Sequence, residues 1–122
     1  MPRAYQHLVI AGFAGAATDC LIQWQAMSAN PARKFDVGEL LLCAVGAGFA
    51  GLVPDLLEPA THPNHRGVCH SVAAGIAVAW VLSGRHTEGL PFTLRLLMLM
   101  GAVGYGSHLL ADALTPKSIR LI

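Results

Sequence analysis

Apolar residues in this chain gather into long stretches instead of narrow stripes. Four stand out, from about His7 to Met27, Val37 to Val53, Val68 to Leu82 and Leu94 to Leu114. Alanine and leucine dominate them and strict alternation is absent, so the pattern predicts helices and no strands. At a rise of about 1.5 Å per residue the four span roughly 22 to 32 Å. A bilayer core is about 30 Å thick, so two of them are short for a full crossing. Breakers separate the stretches. Ser28-Ala29-Asn30-Pro31 ends the first and Pro54 closes the second, Pro59, Pro63 and Gly67 shape the middle loop, and Gly84, Gly89 and Pro91 precede the fourth.

The helices carry many glycines, including Gly12, Gly15, Gly46, Gly48, Gly51, Gly101, Gly104 and Gly106. In water each interior glycine would cost a helix about 1 kcal/mol. In lipid, small residues let helix backbones approach closely. Ala47 with Gly51, and Ala102 with Gly106, have the small-xxx-small spacing, which also permits homo-oligomerisation.

Composition points to the same solvent. Of 122 residues, 54% are hydrophobic and only 12% charged, against roughly 25% charged in a soluble domain. A water-soluble bundle needs polar helix faces, yet Leu40 to Val53 and Leu96 to Tyr105 contain no charged residue. The bilayer is therefore the expected partner. Formal net charge is +1, with no basic run longer than Arg33-Lys34, which argues against nucleic acid because phosphate neutralisation needs a basic patch. The length suits a single membrane-embedded domain over residues 1–122. Asp19 and the glutamines after it interrupt the first stretch, so it reads as a retained helix and not as a cleaved signal. Cys20, Cys43 and Cys69 form no CxxC pair and read as small hydrophobes, with Cys69 set apart by its polar neighbours.

The expected architecture is thus all-α: an antiparallel bundle of about four transmembrane or membrane-embedded helices. Alternate crossing places the N-terminus, the Asp55–Gly67 loop and the C-terminus on one face. His7, Asp55, Glu58, His62, His65, Arg66, His70, His108 and Asp112 all fall at or near it, and of the six histidines only His86 falls on the other. His108 and Asp112 are four apart and share a helix face. Asp55 ends the second helix and His70 opens the third. Two imidazoles and two carboxylates suit zinc, or manganese or iron with added water, so Asp55, His70, His108 and Asp112 are the candidate metal ligands. Glu58 or His65 could act as general base or acid, and Arg66 could hold a phosphate or carboxylate oxygen.

Blander roles exist for each. An isolated His-x-x-x-Asp is usually a structural hydrogen bond, Ser71 could simply start a helix, and Arg66 could snorkel. Acids inside membrane segments are costly and usually functional. That applies to Asp112 and also to Asp19, which lies away from the cluster and could bond Thr18 or a neighbouring helix.

Three blocks carry a family resemblance: Pro54-Asp55, then His65-Arg66-Gly67-Val68-Cys69-His70-Ser71, then Gly104 through Pro116 with His108 and Asp112 inside it. In this order they resemble the YdjM family, described as LexA-regulated, membrane-bound, metal-dependent hydrolases. The resemblance implies metal-site roles for Asp55, His65, His70, His108 and Asp112, with Arg66 beside them. It also implies an integral protein of the bacterial inner (cytoplasmic) membrane. The family pattern PDxDH departs here, with Leu57 for its second aspartate and Glu58 for its histidine, and Cys69 stands where HRGxTHS has threonine.

Three readings of function follow. The first is a metal hydrolase at the bilayer surface, acting on a phosphoester or acyl bond of a lipid or envelope precursor. The second is a non-catalytic scaffold or partner-binding protein held together by its ion. The third is metal or proton transport, disfavoured because the polar groups collect at one face.

Overall fold

The computed structural model describes residues 4–57, 71–83 and 87–114. They form five helices and, among the described residues, no strand: α1 (Ala4–Ala29), α2 (Val37–Ala50), α3 (Val53–Leu57), α4 (Val72–Ser83) and α5 (Phe92–Ala113). The four expected segments are present, with α3 as a short continuation of α2.

Pro54 accounts for that continuation. It has no N–H to donate to the Ala50 carbonyl, so α2 cannot run through it unbroken. The chain turns at Gly51-Leu52, where Gly51 N donates to Ala47 O (2.9 Å) and Leu52 N to Phe49 O (3.0 Å). It then restarts with Pro54 in the first turn of α3, where the missing N–H does no harm. Pro54 was expected to close the second helix; it only interrupts it.

Helix starts follow local chemistry. Asp36 caps α2, its side chain accepting from Glu39 N at 3.0 Å. Ser71 Oγ accepts from Ala74 N at 3.1 Å and starts α4, the helix-start role considered for it above.

The helices alternate in direction. Residues near the start of α1 meet the end of α2, with a Cβ on Gly51 running into Ala11, while Gln23 meets Asp36 at the other end. α5 runs alongside α2, pairing Gly46 with Leu97 and Gly104 with Ala47 and Ala50, and α4 returns antiparallel to it, Gly75 against Leu109. Close approach is enforced at two glycines. A Cβ on Gly15 would overlap Ala47 and stand 2.7 Å from the Cys43 carbonyl. One on Gly104 would overlap the Ala47 carbonyl and stand 2.8 Å from the Ala50 Cβ. Helices α1, α2 and α5 therefore meet backbone to backbone around Cys43, Ala47, Leu96 and Met100.

Polarity is inverted relative to a water-soluble bundle. His7, Asp19, Gln23, His108 and Asp112 are buried, whereas Phe13, Trp24, Phe49, Trp80 and Leu110 are exposed. In α1 the buried positions are His7, Ala11, Gly15, Asp19 and Gln23, one every four residues. Its inner stripe is thus polar or small and its outer face apolar. Two helical stretches, Val37–Leu57 and Phe92–Ala113, are long and apolar enough to cross a membrane, and only 28% and 33% of them is buried inside the molecule. Helices of a water-soluble core would be mostly covered. α4, apolar but only 12 residues long, covers about 18 Å, less than a full bilayer core.

Candidate metal centre

The start of α1, the break between α2 and α3, and the last turns of α5 converge at one end of the bundle. Three side chains meet there: His7 (2% exposed), His108 (0%) and Asp112 (1%). Each offers a ligand atom, and these atoms lie within 4.8 Å of one another. The His7 and His108 rings stack, with centroids 3.7 Å apart and an interplanar angle of 19°. His7 Nε2 is 3.4 Å from Asp112 Oδ1, and His108 Nε2 is 3.3 Å from Asp112 Oδ2. Asp55 stands at the rim, 28% exposed, with Oδ1 3.7 Å from His108 Nε2.

The tautomer of His108 follows from its other nitrogen. Nδ1 lies 2.5 Å from the Gly51 carbonyl oxygen, and a carbonyl can only accept, so Nδ1 carries the hydrogen. Nε2, the other ring nitrogen, faces the Asp112 and Asp55 carboxylates and offers its lone pair to an ion whenever it carries no hydrogen. This is how metal-ligating histidines are commonly held, with one nitrogen anchored to a carbonyl or carboxylate and the other presented to the ion. His7 Nδ1 is buried with no hydrogen-bond partner among the described residues, an arrangement that costs roughly 1–3 kcal/mol unless something satisfies it. The donor set of two imidazoles and one or two carboxylates fits zinc, and manganese or iron with water. The group could hold a metal ion.

Of the expected ligands, Asp55, His108 and Asp112 come together. His70, and with it Glu58, His65 and Arg66, lies outside the described residues, as do His62 and Cys69. Leu57, where the family pattern has an aspartate, ends α3 exposed. His7 was expected only on the same face, and the structure makes it the partner of Asp112. The signal was present in α1, where His7, Ala11, Gly15, Asp19 and Gln23 form a continuous spacing of four, the pattern of one helix face. Asp19 is not bonded to Thr18, whose hydroxyl donates to Ala14 O at 2.8 Å. It pairs instead with Gln23.

Fold and centre together define a membrane protein: a helical bundle with an apolar exterior and a buried histidine–aspartate group at one end. The chain belongs to the YdjM inner membrane protein family, whose model matches residues 3–122. No curated protein and no solved structure matches it.

Proposed function

We propose that this chain is a metal-dependent hydrolase of the bacterial inner (cytoplasmic) membrane. The observation that carries the reading is the convergence of His7, His108 and Asp112, buried at one end of the bundle with ligand atoms within 4.8 Å of one another. Zinc, or else manganese or iron, would be held by His108 and Asp112 with His7 and Asp55, and His70 is the further ligand that the sequence offers. When bound, such an ion lowers the pKa of a coordinated water toward about 7 and so supplies hydroxide at neutral pH. Glu58 or His65 accepts or returns the proton, and Arg66 binds an anionic oxygen of the substrate. A site at the membrane face suits a phosphoester or acyl bond in a lipid or envelope precursor.

The test is elemental analysis of detergent-purified protein, comparing wild type with His108→Ala and Asp112→Ala. The expected result is about one ion per chain, lost in both variants, and hydrolysis of a lipid phosphoester or ester substrate by the loaded wild type alone. A folded wild type that takes up no metal, even after reloading, overturns it.

One observation favours a second reading. His7, His108 and Asp112 are at most 2% exposed, and a closed site with protein ligands throughout is the mark of a structural ion. A metal-stapled scaffold would lose its fold on chelation, turn over no substrate, and show no water among its ligands by X-ray absorption.

A further inference from the structure

A second group of buried polar atoms lies toward the other end of the bundle. Asp19 is twelve residues from His7, about 18 Å along α1, so the two groups are separate. Asp19 is 0% exposed. Its Oδ2 accepts from Gln23 Nε2 at 2.6 Å. The same amide joins the α1–α2 loop, Nε2 donating to Asp36 O (2.9 Å) and Oε1 accepting from Asp36 N (2.7 Å). Gln23 is thereby fixed in place, and Asp19 with it. Asp19 Oδ1 remains buried with no donor among the described residues.

Glu39, on α2, mirrors this. Arg33 Nη2 lies 3.4 Å from Oε2, and Oε1 is buried with no donor among the described residues. Gly15 packs against Cys43 where α1 and α2 run antiparallel, so Asp19, one turn after Gly15, and Glu39, one turn before Cys43, face each other. Around them stand Cys43, buried one turn beyond Glu39 on α2, and Asp36, whose carboxylate caps α2. From α5, Phe92, Thr93 and Leu96 line the same pocket as Glu39, and Leu96 and Met100 pack with Cys43.

Two ionised carboxylates can only accept, so these facing oxygens can hydrogen-bond to each other only if one of the two carboxyls carries a proton. Like charges this close in an apolar setting also repel strongly. We propose that Asp19 and Glu39 form a buried acid pair holding one proton between Asp19 Oδ1 and Glu39 Oε1, a proton-binding site distinct from the metal centre. With one proton the pair carries a single negative charge, which Arg33 balances. A metal ion fits less well: among the described residues only His7, His108 and Asp112 bring three ligand atoms within 4.8 Å of one another.

Asp19→Asn and Glu39→Gln test this. In each, the new amide donates to the remaining carboxylate and replaces the proton, while its oxygen keeps the Gln23 or the Arg33 contact. Both variants should therefore fold, with melting temperatures close to wild type. Infrared spectra in detergent at neutral pH should show a protonated-carboxyl stretch in the wild type that is absent in each variant. If only one variant folds, its spectrum decides. The proposal is overturned if the stretch is absent from the wild type or unchanged in the variants, or if neither variant folds. It is equally overturned if Glu39→Gln loses one metal ion per chain by elemental analysis, since an ion would then bridge the pair.

Discussion

His108 joins the break after α2 to the last turns of α5. Its Nδ1 hydrogen is held by the Gly51 carbonyl, which fixes the ring, and its Nε2 faces Asp112 and Asp55. His7 lies flat against it and reaches Asp112 Oδ1. His7 belongs to the centre on this geometry, so His7→Ala should weaken metal binding about 10-fold or more, measured by competition with a chromophoric chelator. Unchanged affinity would make His7 a packing partner of the His108 ring and nothing more. Asp36→Ala removes the side-chain acceptor at the start of α2 and should cost about 1 kcal/mol, read from thermal melts in detergent. It leaves the Gln23 bonds to the Asp36 backbone intact, so the loop should stay in place.

At the scale of elements, glycines set how near the helices come, and nearness sets the centre. α5 lies so close to α2 at Gly104 that a Cβ there would overlap the Ala47 carbonyl. One turn further on, His108 reaches the Gly51 carbonyl. Gly104→Val should therefore push α5 outward and cost about 1–3 kcal/mol. It should also reduce metal content, although residue 104 is no ligand. Gly106, where an added Cβ meets nothing within 4 Å, is the control: Gly106→Ala should not lower stability and should leave metal content unchanged. Equal effects at the two positions would remove close packing as the cause.

For the whole molecule, the arrangement of polar and apolar groups decides the solvent. Buried acids and histidines with exposed phenylalanine, tryptophan and leucine would be unstable in water, whereas in lipid the outer face needs no polar cover and the polar groups gather inside. The protein should remain in the membrane pellet after an alkaline carbonate wash and enter solution only with detergent. Release by carbonate alone would contradict this reading of the exterior.

The sequence by itself determined the helical class, the lipid environment and the face on which His108, Asp112 and Asp55 meet. These depend on composition, on runs of apolar residues and on alternate crossing, all properties of local order along the chain. The spacing of four in α1 was equally legible, and it is what identifies His7 and Asp19 as inward residues. Only the tertiary structure decided that His7 stacks on His108, that Gly51 supplies the carbonyl holding it, and that Asp19 faces Glu39. Those pairings join residues on different helices at distances set by backbone contact through Gly15, Gly51 and Gly104. Rotation and depth of packing between helices are not encoded in any one helix's periodicity.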